Sequence, residues 1–159
     1  MKRFTIFFSI LLVLGFGAVL AYVAASPEFV PPAQLIGEGE DPDAPIWDMT
    51  MDEVLAELEG QGLIETTNLT TLSADGLCTI AVKVSNGAEF YWWDVDNLKE
   101  GSMEETSYKS LKAEGFIDFY GAGSIMNPVP NGPFALLLDF YEGDSKALEQ
   151  AFRAVGQAE

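Results

Sequence analysis

The stretch Cys78-Thr-Ile-Ala-Val-Lys-Val-Ser-Asn-Gly-Ala-Glu-Phe-Tyr-Trp-Trp-Asp-Val95 places Asn86-Gly87 between two runs of β-branched and aromatic residues. Asn-Gly readily adopts the two positive φ angles of a type I′ turn, whose twist matches a pair of antiparallel strands. The stretch therefore predicts a β-hairpin whose turn consists of Asn86 and Gly87. We expect the rest of the chain to be built around this hairpin.

A two-residue turn also predicts the register of the hairpin. It pairs Val82 with Tyr91 and Ile80 with Trp93, and these four residues would form the core-facing side of the hairpin. A shift of one residue in this register would exchange the two faces of the hairpin.

The remaining chain divides into further secondary-structure elements by its apolar periodicity and its capping residues. Thr50 and Glu53 form a capping-box pattern ahead of the first helix. The predicted helices span residues 51–59, 103–113 and 145–155, and the predicted strands span residues 63–72, the two arms of the hairpin, 116–120 and 134–141. This order indicates an α+β domain with a mainly antiparallel sheet and with three helices on one face.

The composition excludes several classes of chemistry. The 159 residues include no histidine and a single cysteine, Cys78. A Ser-His-Asp triad, a Cys-His pair and a His-ligated zinc or haem site therefore cannot form within the chain, and neither can an internal disulfide bond. We predict no metal site and no cofactor.

The charge is strongly acidic and unevenly distributed. All 25 aspartates and glutamates follow residue 25, whereas Lys2 and Arg3 are the only basic residues before Lys83. Nucleic acid is a poor partner, because phosphate binding needs a basic face. Solubility, the binding of cationic partners and the binding of divalent ions remain three interpretations of the acidic charge, although no ligand loop supports the last of them.

The N-terminal segment predicts export. Lys2 and Arg3 precede an uncharged apolar run over residues 4–25, which as a helix would be about 33 Å long and would span a bilayer. The basic start orients the rest of the chain to the extracytoplasmic side. The alternative is a signal peptide cleaved after Ala25, since small residues precede Ser26, and the product would then be secreted.

A second change of composition follows the apolar run. Residues 26–47 contain five prolines and five acidic residues but no basic residue. This composition predicts an extended acidic Pro-rich linker. The predicted organisation is thus an anchor or signal peptide over residues 1–25, a linker over 26–47 and one α+β domain over 48–159.

One candidate contact surface follows from the predicted register. It places Phe90, Trp92 and Lys83 on the second face of the hairpin, where an uncovered sheet would expose them to a partner. The alternative is that a helix or the Gly- and Pro-rich segment 121–133 covers the two aromatic rings as part of the core.

The segment 121–133 is itself predicted to be a long irregular loop. Its apolar residues Ile125, Met126 and Val129 would either pin it to the domain as an ordered flap or contact a partner.

These features favour a non-catalytic, membrane-tethered extracytoplasmic domain that binds a protein or a cell-envelope ligand. Two alternatives remain open. One is a small exported hydrolase that uses paired carboxylates, which would need two acidic groups about 5 to 10 Å apart, one with a strongly raised pKa. The other is a secreted inhibitor or accessory subunit.

Overall fold

The computed structural model describes residues 40–41, 43–119 and 123–157. A short 3₁₀ helix over Pro45–Trp47 precedes the first α-helix, and a second over Val95–Asn97 follows the central hairpin. The α-helices are α1 (Met51–Gly60), α2 (Met103–Glu114) and α3 (Ser145–Ala154), and the strands are β1 (Thr70–Thr71), β2 (Ile80–Lys83), β3 (Glu89–Trp92), β4 (Phe116–Asp118), β5 (Ser124–Met126), β6 (Val129–Asn131) and β7 (Phe134–Leu137).

The strands form one large and one small antiparallel sheet. The large sheet has the strand order β1-β2-β3-β7-β6, and each neighbouring pair is antiparallel. Strands β4 and β5 pair separately as an antiparallel ribbon. The α+β class, with three α-helices in the described part of the chain and a mainly antiparallel sheet, is confirmed.

The prediction that the helices cover one face is wrong, because the large sheet is buried on both faces. All four residues of β7 are buried. Phe134 and Leu136 join a first core with the apolar side chains of α1 and α3, whereas Ala135 and Leu137 join a second core with Leu111 of α2. A strand with apolar residues at every position needs cover on both sides. The domain therefore has α1 and α3 on one face, and α2 with the β4–β5 ribbon on the other.

The central hairpin forms, but the predicted register is wrong by one residue. Val82 pairs with Phe90 and Ile80 with Trp92. The loop has three residues instead of two, because the Val84 N–H donates to the Ala88 carbonyl and the Gly87 N–H donates to the Val84 carbonyl, both at 3.0 Å. Gly87 alone in this loop has a positive φ, +93°. This is the three-residue hairpin loop that ends in a left-handed glycine.

The first helix begins at its predicted capping residues, and α3 begins at a side-chain cap of its own. The Thr50 side chain accepts a hydrogen bond from the Glu53 N–H, and the Glu53 carboxylate accepts one from the Thr50 N–H in return, so the capping box is confirmed. The Asp144 side chain accepts from the N–H groups of Lys146 and Ala147 at the start of α3. These bonds satisfy N–H groups that the helices leave unpaired.

Two other segments differ from the prediction. Within the predicted strand 63–72, only Thr70–Thr71 pairs, at the edge of the large sheet. The predicted loop 121–133 contributes β5 and β6 in its described part. A two-residue turn at Gly132 and Pro133 connects β6 to β7, with Gly132 at a φ of +54°.

The end of the predicted linker belongs to the folded domain. Ile46 is buried in the first core, and its N–H donates to the Gly156 carbonyl at 3.1 Å. Gly132 packs so closely that a Cβ there would lie 2.9 Å from the Ile46 Cγ2. The folded domain therefore includes residues before 48, since Ala44 and Ile46 are buried in the first core and Ile46 packs against the turn between β6 and β7.

A partly buried ion pair holds the start of this segment against α2. The Lys112 ammonium lies 2.6 and 2.8 Å from the two carboxylate oxygens of Glu40. The ring centres of Trp47 and Tyr108 lie 5.4 and 5.5 Å from the same nitrogen. The Lys112 side chain is only 5% exposed, and this burial lowers its pKa although Glu40 acts in the opposite direction.

The predicted membrane span over residues 4–25 and the linker up to residue 39 lie outside the described residues. Among the helices of the described ranges, none combines the length and the apolar character that a bilayer span requires.

We expect Glu40→Gln to lower the free energy of unfolding by up to about 3 kcal/mol at pH 7, because the change leaves Lys112 buried without a carboxylate partner. Since the pKa of Lys112 is below its usual 10.5, the unfolded chain binds more protons just below that pH, and stability rises with pH there. Loss of Glu40 lowers this pKa further, so the rise should begin at a lower pH in the variant. Urea unfolding over a pH series measures both effects.

Glu149→Gln is the matched control. It removes the carboxylate of the Arg153–Glu149 pair, whose side chains are 51% and 40% exposed. An exposed pair of this kind contributes about 0.5 kcal/mol or less. Equal losses in the two variants would contradict a stabilising role for the buried pair.

Candidate binding cleft

The three residues of the predicted contact surface do not lie together. Phe90 is fully buried in the first core, where its ring packs edge-on against Phe152 at 6.0 Å between ring centres. Trp92 is half-buried on the same face, 6.4 Å from the Phe134 ring centre. Lys83 points to the opposite face of the sheet. Phe90 is therefore part of the core, as in the alternative in which the aromatic rings are covered, and the one-residue difference in register places Phe90 and Lys83 on opposite faces.

Lys83 lies in a small polar and aromatic cluster on that second face. Its ammonium group is 3.0 Å from the Glu89 carboxylate on the neighbouring strand. The Tyr91 hydroxyl donates to the other oxygen of Glu89 at 2.9 Å. Burial, together with the charge of Glu89, raises the pKa of Tyr91, so this hydroxyl remains a hydrogen-bond donor at neutral pH.

The same ammonium group lies 4.5 Å from the centre of the Phe140 ring. This distance is within the range of a cation–π contact. Phe140 nevertheless remains 64% exposed, the largest exposed fraction among the large apolar side chains in the described ranges. An aromatic ring of this size at the surface is available for a contact with a partner.

Lys83 and Phe140 line an open cleft of about 500 Å³, which we call the Lys83 cleft. Its lining residues are Lys83, Ser85, Gly87, Asp139, Phe140, Tyr141 and Glu142. The cleft thus combines two aromatic rings, one ammonium group, two hydroxyl groups and two carboxylates. Such a mixture suits recognition by stacking and by ion pairing.

The cleft is built where the hairpin loop meets the turn that follows β7. The Asn86 carbonyl accepts a hydrogen bond from the Glu142 N–H at 2.8 Å. The Asn86 side-chain amide donates to the Leu63 carbonyl at 3.1 Å, and the Tyr141 hydroxyl donates to the same carbonyl at 2.5 Å. The loop, the turn and the segment that follows α1 are therefore held together by hydrogen bonds.

Gly87 permits the close approach of these two segments. A Cβ at this position would lie 1.9 Å from the Phe140 carbonyl oxygen. Only a residue without a side chain fits there, and the positive φ of Gly87 imposes the same requirement. One glycine thus determines both the hairpin loop and the position of the Phe140 turn.

The sequence reasoning missed Phe140 because it extended the last strand to residue 141. In the structure β7 ends at Leu137, and residues 139–140 form a turn. The sequence does contain a signal for this end, since Asp139 interrupts the apolar run and Gly143 follows shortly after.

The predicted flap residues do not act as one unit. Ile125 packs against the second core, and Val129 is buried in the first. Met126 is 57% exposed on β5. The three residues lie on two different strands, β5 and β6, and not in one irregular loop.

Three carboxyl groups of the described ranges have lowered pKa values. In each case a hydrogen bond to the carboxylate is the main cause. The Thr50 backbone bonds to Glu53, the Thr66 side chain bonds to Glu59, and the Lys109 side chain bonds to Glu105. A carboxyl group with a lowered pKa is a poor general acid at neutral pH.

The buried cysteine is equally unsuited to nucleophilic chemistry. Burial raises the pKa of Cys78 to about 12, so its thiol stays protonated. Within the described ranges, no group of three or more Cys, Asp or Glu side chains is arranged to hold a metal ion.

Comparison of the chain with protein-family models, with curated proteins and with solved structures finds no significant match in any of the three.

We expect Gly87→Ala to destabilise the domain by about 2 kcal/mol or more. The new side chain would meet the Phe140 carbonyl in addition to the strain of a positive φ. Urea unfolding measures the loss. Gly101→Ala is the control. Gly101 also has a positive φ, +74°, but an added Cβ there would have nothing within 4 Å. This variant should therefore lose only the cost of the backbone strain, about 1 kcal/mol. A loss at Gly87 no larger than at Gly101 would show that the close approach to Phe140 is unimportant.

Proposed function

We propose that this protein is a membrane-tethered extracytoplasmic domain that binds a protein or cell-envelope ligand at the Lys83 cleft and catalyses no reaction on it. The observation that carries the proposal is Phe140, a largely exposed aromatic ring beside a half-buried ammonium group in an open cleft. Aromatic residues are enriched where proteins bind partners, compared with the rest of the protein surface.

The chemistry of the cleft supports binding over catalysis. Its ammonium group is already engaged by Glu89 at 3.0 Å, and its serine, Ser85, has no histidine in the chain to activate the hydroxyl group. Nucleophilic catalysis by serine needs an adjacent base that is free to take the proton. Stacking and ion pairing need only the groups that line the cleft.

The tether is supported by the layout of the N-terminal sequence. Two basic residues, then an uncharged apolar run over residues 4–25, then an acidic Pro-rich segment, form the order expected of an anchor followed by a spacer. In this proposal the folded domain is held outside the membrane, with the Lys83 cleft free to meet neighbouring molecules.

Expression of the full chain in an export-competent host tests the tether. We expect a product of full-length mass in the membrane fraction, with the folded domain open to added protease. A soluble product that begins at Ser26 would contradict the anchor and favour the secreted inhibitor or accessory subunit. Intact-mass measurement of both fractions distinguishes these outcomes.

Site-specific photocrosslinking in the same host tests the cleft. A photoreactive phenylalanine analogue at position 140 should give a discrete adduct, because the ring is exposed at the proposed contact. The same analogue at Phe119, another exposed phenylalanine in a different part of the domain, is the control and should give none. Equal adducts at both positions, or adducts at neither, would argue against the cleft as the binding site.

A further inference from the structure

The Lys83 cleft has an excess of negative charge. Lys83 is paired with Glu89, so its positive charge is balanced within the domain. Asp139 and Glu142 are exposed, and neither of them takes part in an ion pair with any residue of the described ranges. A cationic ligand would therefore gain two carboxylate partners on entering the cleft.

Phe140 adds a surface that itself attracts cations. The domain already places one ammonium group, that of Lys83, 4.5 Å from the ring centre. Because Phe140 is still 64% exposed, much of its ring is left for a second contact. The negative face of an aromatic ring favours a cation there over an anion or a neutral polar group.

Building on the proposed function, we propose that the Lys83 cleft binds an arginine-bearing segment of a partner protein. The planar guanidinium group stacks on an aromatic ring and can form two parallel hydrogen bonds with one carboxylate. Phe140 supplies the ring, and Asp139 or Glu142 supplies the carboxylate. A lysine side chain could form the ion pair, but it lacks the flat group that stacks on the ring.

The charge of the whole domain supports the same class of partner. The 25 acidic residues of the chain outnumber its 8 basic ones, and every acidic residue follows residue 25. Such a domain attracts basic partners over a distance and repels acidic ones. The long-range attraction is diffuse, whereas the stacking on Phe140 is local, and this difference makes the site testable.

In the experiment, the full-length protein in nonionic detergent is titrated at low salt, and calorimetry measures the binding. The titrants are three peptides: tetraarginine, tetralysine and tetraglutamate. We expect tetraarginine to bind more tightly than tetralysine, and tetraglutamate not to bind. Phe140→Ala should raise the Kd for tetraarginine about tenfold, the loss expected for one cation–π contact. Phe119→Ala, at the other exposed phenylalanine, should leave the Kd within about twofold.

A second pair of variants separates the cleft from the general acidity of the domain. The double substitution Asp139→Asn with Glu142→Gln should also raise the Kd about tenfold. The double substitution Asp96→Asn with Glu100→Gln removes the same charge from two exposed positions elsewhere and should change the Kd about twofold or less. All four side chains of these variants are at the surface or partly exposed, so the fold should be retained, and unfolding curves verify it.

Three results would overturn the inference: no binding of tetraarginine, equal binding of tetralysine, or equal losses in the cleft variants and their controls. A crosslink at position 140 combined with any of these results would leave the proposed binding function in place and reject only the arginine-bearing partner. The absence of a specific crosslink together with the absence of binding would reject both.

Discussion

The burial of the large sheet on both faces is the constraint on which the rest of the structure depends. Strand β7 presents apolar side chains at all four positions, and β3 buries Phe90 on one face and Tyr91 on the other. Neither strand tolerates an open face, so α1 with α3 and α2 with the small ribbon must occupy opposite sides. The second face is covered only in part, and the end of the sheet that carries Lys83 is left open as the cleft.

Local sequence patterns predicted the helices well, because helix ends depend on neighbouring residues. Thr50, Ser102 and Asp144 each cap a helix by a bond to an N–H two or three residues ahead. The first two predicted helices end one residue before the observed ends, and the third ends one residue beyond. The α+β class followed from the order of these elements and is confirmed.

Long-range contacts could not be predicted in the same way. Residues 43–47 resemble a linker in composition, yet Ile46 fills the space left by two glycines distant in sequence, Gly132 and Gly156. Strand β6 lies in a segment whose glycines and prolines indicated a loop. Gly132-Pro133 forms the turn that follows this strand, and the Asn131 side chain donates to the Phe152 and Val155 carbonyls at the end of α3. These partners become neighbours only once the sheet is assembled.

The three residues of the predicted contact surface are separated because the hairpin loop has three residues instead of two. Asn86-Gly87 correctly indicated a hairpin, but the dipeptide is compatible with loops of two or three residues, and the difference moves Phe90 into the core and leaves Lys83 on the other face. The three-residue loop is linked to contacts outside the hairpin, since Asn86 forms hydrogen bonds with Leu63 and Glu142, and Gly87 lies against the Phe140 carbonyl. The same contacts bring Phe140 next to Lys83. The register of the hairpin and the position of the cleft are therefore one structural feature, so a sequence argument that treats the hairpin in isolation predicts neither the buried face nor the aromatic ring at the surface.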